Sequence, residues 1–147
     1  MDLHYFEDIS IGDEYIAIGR PLTPEYIINY AGISGDFFPL HIDEEYAKKT
    51  EFGTRVAHGL LGLAITDGLK NLSPFQTAGI ASLGWTVAFK GPIFPGDTIY
   101  VKCKIINMRK SRSKPDRGII FIGCKTINQR NEIVIEAEHR EMIHCRK

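Results

Sequence analysis

An α+β fold, with a curved antiparallel sheet wrapped around a central apolar helix, follows from two patterns and their order along the 147-residue chain. Residues 58–69, HGLLGLAITDGL, carry apolar side chains around almost the whole circumference of a helix, so that helix must be enclosed on most sides. Beyond it, four long segments alternate apolar and polar residues with period two, which is the pattern of strands with one buried face. Helices come first, strands follow, and short turns join them, an order that argues for an antiparallel sheet and against βαβ crossovers. The apolar strand faces need a cover and the helix needs enclosure, and each meets the other's need.

Taken in order, Thr23-Pro24-Glu25 reads as a cap followed by proline at the first helical position, predicting a helix from Pro24 to Ile33 that Gly32 and Gly35 then loosen. Asp43 reads as the cap of a short helix, Glu44 to Lys49, with acids in its first turn and lysines in its last. The apolar helix at 58–69 follows, and Ser73-Pro74 ends the helical region. In SLGWTVAFK, Leu83, Trp85, Val87 and Phe89 share one face and Ser82, Gly84, Thr86, Ala88 and Lys90 the other. Pro95-Gly96 turns the chain into DTIYVKCKI, where Ile99, Val101, Cys103 and Ile105 alternate with polar residues. Pro115 to Gly118 turns into GIIFIGCKTI, and Asn128 to Asn131 into EIVIEAEHREMIH, where Ile133, Ile135, Ala137 and His139 oppose Val134, Glu136, Glu138 and Arg140.

A chain of this length buries a proper core without disulfides or metal, and with no repeat, low-complexity tract or linker, residues 1–147 read as one domain. Eighteen basic and eighteen acidic residues cancel, so no global field draws nucleic acid or an anionic membrane surface. No long uncharged apolar run is present and the N-terminus, MDLHYFEDIS, is acidic, which argues against secretion and membrane spanning. Cys103, Cys124 and Cys145 fit neither a disulfide framework nor the close pairs of zinc sites. Reduced core cysteines and a cytoplasmic location are the expectation.

The chemistry concentrates in GDFFPLHID, residues 35–43, where Asp36 and His41 stand five positions apart with Phe37, Phe38, Pro39 and Leu40 between them. Such a pair is either a solvated turn or an acid/base pair. The apolar filling dries the loop, which favours neutral imidazole, the form that accepts a proton from water. Pro39 stiffens the loop, and stiffness positions a base. A second signal is His58-Gly59 at the start of the apolar helix. Unpaired N–H groups, the positive end of the helix dipole and a residue without a side chain make an oxyanion site there; the other reading of Gly59 is close helix packing.

In this order the pieces resemble the MaoC-like dehydratases, also called R-specific enoyl-CoA hydratases, of the hotdog superfamily. Their hallmark loop, Gly-Asp-x-Asn-Pro-aliphatic-His, is matched by Gly35, Asp36, Pro39, Leu40 and His41, followed by Ala47 and by His58-Gly59 opening the central helix. The segment Pro92, Pro95-Gly96-Asp97 is similar to the family's lead into its second long strand, so the resemblance covers nearly the whole chain. It departs in two places: the family's Asn is Phe38 here, and Thr66-Asp67 stands where some relatives carry a serine.

The resemblance implies a hotdog fold and reversible hydration of trans-2-enoyl-CoA to (R)-3-hydroxyacyl-CoA. It implies Asp36 and His41 as the catalytic pair, with His41 the base, and Gly59, His58 and Phe38 on the oxyanion and substrate side. No metal and no cofactor are implied beyond the CoA of the thioester itself. It also implies an edge-to-edge homodimer, in keeping with the exposed edge any open sheet has. The only basic cluster, RKSRSKP at 109–115, is either a solvated hairpin or a meeting point for the phosphates of CoA or for an acyl-carrier protein. A thioesterase of the same fold uses the same ester and the same helix end, but generally lacks the Asp-to-His loop. A non-catalytic acyl-CoA-binding subunit is the other alternative, and Phe38 in place of Asn is what favours it.

Overall fold

A computed structural model describes residues 3–72 and 74–147, so Ser73 and its part in ending the helical region lie outside the described residues. After a short 3-10 turn at Phe6–Asp8 come β1 (Glu14–Pro21), α1 (Pro24–Ser34), α2 (Pro39–Ile42), α3 (Glu44–Ala47), α4 (Gly59–Asn71), β2 (Gly79–Phe89), β3 (Thr98–Lys110), β4 (Arg117–Asn128) and β5 (Ile133–His144). The strands form one five-stranded sheet in the order β1-β3-β4-β5-β2, antiparallel at every pairing. It has one strand more than the alternation pattern predicts. β1 escapes that pattern because both of its faces are apolar: Ala17 is buried while Ile16 and Ile18 point outward, Ile18 84 % exposed.

Local signals account for the helices. Pro24 opens α1, and Gly35 closes it in the left-handed conformation at φ 79°, its N–H donating to the Ala31 carbonyl at 2.8 Å. Gly32 sits inside the helix without breaking it. Asp43 caps α3, its carboxylate accepting from the N–H of Glu45 at 2.9 Å and of Tyr46 at 3.1 Å. Between them the loop read at residues 35–43 winds one helical turn within it, α2, which Pro39 starts.

Helix α4 lies against the inner face of the sheet through Leu61, Gly62, Thr66, Leu69 and Lys70. Gly62 lets it come close, because a Cβ there would stand 2.8 Å from Ile93 and 2.9 Å from Ile135. Opposite it the sheet contributes Ile99, Val101, Cys103, Ile105, Ile120, Ile122, Cys124, Ile135 and Ile143, all buried. The three cysteines are free and buried. Enclosure of α4 is incomplete within one chain, since the sheet covers one side only and Leu60 remains 59 % exposed.

One face assignment differs in β2. The register shifts between Ser82 and Gly84, with Gly84 at φ 142°, so a bulge interrupts the alternation. Ser82 thereby turns to the side of Trp85, its hydroxyl 2.8 Å from His139 Nε2, and Trp85 stacks on the same imidazole at 4.2 Å. No helix among the described residues is long and apolar enough to cross a membrane.

Candidate active site

Helix α4 runs from the end of the sheet where β2 finishes and β5 begins, and the loop joining α1 to α3 folds over its first turn. This brings Asp36, His41 and His58 together: a ring nitrogen of each imidazole and a carboxylate oxygen of Asp36 lie within 4.8 Å of one another. The main chain does most of the positioning. His41 Nδ1 is 2.7 Å from the carbonyl of Val56, and His58 Nε2 is 2.9 Å from the carbonyl of Asp36. A carbonyl only accepts, so each of those nitrogens carries the hydrogen. In neutral His41 the lone pair is then on Nε2, the nitrogen left free to take a proton. The Asp36 carboxylate accepts from the N–H of Phe38 at 3.1 Å, and its other oxygen lies 3.9 Å from His58 Nε2.

His58 is 3 % exposed, stacks on His41 with ring centres 3.9 Å apart, and has Tyr30 beside it at 4.9 Å. It is the cap residue of α4, yet its side chain makes no capping bond. The first N–H groups of the helix, which have no partner within the helix, are therefore not claimed by that imidazole. For Gly59 both readings of the sequence have something to stand on. A Cβ at Gly59 would meet the Phe89 ring at 2.9 Å, which is close packing, while its backbone N–H belongs to the open first turn.

A mostly apolar cavity of about 300 Å³ begins at Gly59 and is lined by Phe52, Val56, Ala57, Phe89 and Ile93. A larger groove of about 820 Å³ crosses the outer face of the sheet between Lys102, Lys104, Lys125 and Glu136, and none of the candidate residues lines it. Size alone would point to the larger groove, but the smaller one has Gly59 and Val56 in its wall, the residues next to His58 and bonded to His41, while Asp36, His41, His58 and Phe38 themselves do not line it. Two histidines and an aspartate are also residue types that hold metal ions. Here the imidazoles stack with planes 28° apart, so their in-plane lone pairs run side by side and do not converge on one point. Acid/base work suits this geometry better than tetrahedral coordination.

Phe38 meets the site from outside: its ring is edge-on to His41 at 6.2 Å and to Tyr46 at 6.0 Å, and 51 % exposed. The contributions of the Val56 carbonyl, Tyr46 and Phe52 had no signal in the sequence. A backbone carbonyl leaves no residue signature, and the two rings reach the site only through the fold. The basic hairpin between β3 and β4 lies at the other end of the sheet, roughly 35–40 Å away along the 12-residue β4.

The family described as the MaoC like domain matches residues 8–119. An (R)-specific enoyl-CoA hydratase of Rhodospirillum rubrum is 28 % identical over 144 residues, covering 98 % of this chain and 94 % of that protein. The solved structure of a MaoC-like dehydratase from the same organism superposes with a TM-score of 0.90 at 31 % identity, covering 98 % of this chain and 99 % of that one. A Mycobacterium tuberculosis protein described as having a double hotdog fold superposes with a TM-score of 0.88 at 22 % identity, over 98 % of this chain and 45 % of its own. The fold is thus the hotdog. The chain belongs to the MaoC-like dehydratase family, whose members include hydratases and dehydratases.

Proposed function

We propose that this protein catalyses the reversible hydration of trans-2-enoyl thioesters to (R)-3-hydroxyacyl thioesters. The observation that carries this reading is the convergence of an imidazole nitrogen and the Asp36 carboxylate within 4.8 Å, beside the open first turn of α4 and an apolar cavity. That span is one a single water bridges with two hydrogen bonds of about 2.8 Å. His41 takes a proton from that water as its oxygen adds to C3. Negative charge then moves to the thioester oxygen, where the Gly59 N–H receives it. The proton returns to C2 by way of the Asp36 carboxyl, so the pair ends the cycle as it began. The reaction so written needs no metal or redox cofactor, and CoA or a carrier-protein arm enters only as part of the substrate.

A second copy of the chain is part of the proposal. β2 is an edge strand, and Leu83, Phe89 and, on α4, Leu60 are all large apolar side chains left exposed in the single chain.

The test follows loss of enoyl absorbance with crotonyl-CoA, together with chiral analysis of the product. Asp36→Asn and His41→Ala are expected to fold and to lose on the order of a hundredfold or more in rate. Full activity in either variant refutes the assignment, and release of free thiol in place of hydration identifies a thioesterase.

A further inference from the structure

Phe38 occupies the position where the family's loop carries an amide side chain, and the structure shows what that exchange leaves intact. The N–H of residue 38 holds the Asp36 carboxylate, the carbonyl of residue 38 accepts from the His41 N–H at 2.9 Å, and the remaining bonds run from the two imidazoles to the carbonyls of Val56 and Asp36. Any residue other than proline supplies both main-chain groups at position 38. Its side chain is thus released from holding the catalytic pair. The ring neither caps α2 nor joins the core; it stands half-exposed with its edge against His41, beside an equally exposed Phe37.

We propose that Phe38 is a specificity-determining residue: its ring is a contact surface for the acyl chain, and it selects enoyl thioesters with apolar chains longer than four carbons over short or carboxylated ones. This rests on the hydration reading above. The geometry supports it in three steps. A substrate whose C3 reaches the His41 nitrogen must lie alongside that imidazole. One face of His41 is stacked by His58 and its Nδ1 is held by Val56, so the ring of Phe38 borders what stays open. Two exposed phenylalanines are costly in water, and covering their faces with methylene groups recovers part of that free energy. A second carboxylate in the same place would lose its hydration against aromatic carbon.

The experiment measures kcat and KM for trans-2-enoyl-CoA esters of four, six and eight carbons and for glutaconyl-CoA, in the wild type, Phe38→Ala, Phe38→Asn and Phe38→Leu. The wild type is expected to favour the six- and eight-carbon esters and to handle glutaconyl-CoA worst. In Phe38→Ala and Phe38→Asn, KM for the longer esters rises about five- to tenfold, which flattens the chain-length preference, and Phe38→Leu restores much of it. The pH profile of kcat keeps its shape, because the proton-transfer pair is untouched. A uniform fall in kcat at every chain length, or a displaced pH profile, overturns the proposal and makes the ring a support for His41. An unchanged chain-length profile in Phe38→Ala overturns it as well. A wild type inactive on every ester is the separate failure of the hydration reading.

Discussion

Gly59 illustrates how much one residue can carry in this protein. It lies against Phe89 so closely that even a methyl group would stand 2.9–3.1 Å from the ring, and it both opens α4 and lines the small apolar cavity. Gly59→Ala must therefore push Phe89 aside or shift the start of α4. The expected result is a modest stability loss of roughly 1 kcal/mol, as overpacking gives, with a larger fall of about tenfold or more in kcat for crotonyl-CoA as the oxyanion donor is displaced. Steady-state kinetics beside a denaturant melt separates the two effects. That His41 and Asp36 come together was legible in the sequence only through the family motif they resemble, because their spacing alone fits a solvated turn as well. Their partner carbonyl at Val56 was not, since any residue offers a carbonyl and only folding decides which one is near.

At the scale of elements, the helices follow local chemistry closely. Pro24 starts α1, Gly35 ends it and Asp43 caps α3, each acting through neighbours within a few residues. Removing the cap with Asp43→Ala leaves the N–H groups of Glu45 and Tyr46 without their partner. It is expected to cost about 1 kcal/mol, or a Tm lower by about 2–4 °C in a domain of this size, read by circular dichroism. Because the bonds that hold Asp36, His41 and His58 do not use the Asp43 carboxylate, activity measured well below Tm should fall only slightly. The strands were legible where one face is apolar and the other polar, as in β3. Where that contrast fails the pattern is silent or misleading: β1, apolar on both faces, gives no strand signal, and in β2 the bulge at Gly84 turns Ser82 to the side of Trp85.

For the whole molecule, the buried far end of α4 sets a pH dependence of stability. His139 is 3 % exposed between Trp85 and Ser82. Burial, helped by the nearby Lys70 charge and opposed by Asp67, lowers its imidazole from an ordinary 6.5 to about 4. The unfolded chain takes up that proton near pH 6.5 and the folded one only near 4, so unfolding binds a proton in between. Stability is full above pH 6.5 and declines as pH falls towards 4, by on the order of 3 kcal/mol if this group acts alone. His139→Phe removes the titration, and its denaturant midpoint should change less between pH 7 and 4 than that of the wild type. Association belongs to the same scale: sedimentation is expected to find two chains per particle, and Leu83→Lys on the β2 edge is expected to shift the population towards single chains.

The amino-acid sequence by itself determined the α+β order, the Asp43 cap of α3, the inward faces of β3 and β5, and, through resemblance to a family motif, the grouping of Asp36, His41 and Gly59. All of these are written in neighbouring residues, through periodicity, capping chemistry and spacing. Tertiary structure alone decided that His58 lies stacked beneath His41, that the Val56 carbonyl fixes the tautomer of His41, and that the basic hairpin stands at the opposite end of the sheet from Asp36 within the same chain. The physical reason is that these depend on contacts between residues 15 or more positions apart or on the full length of a strand, and no local pattern records which distant groups the folded backbone brings within a hydrogen bond.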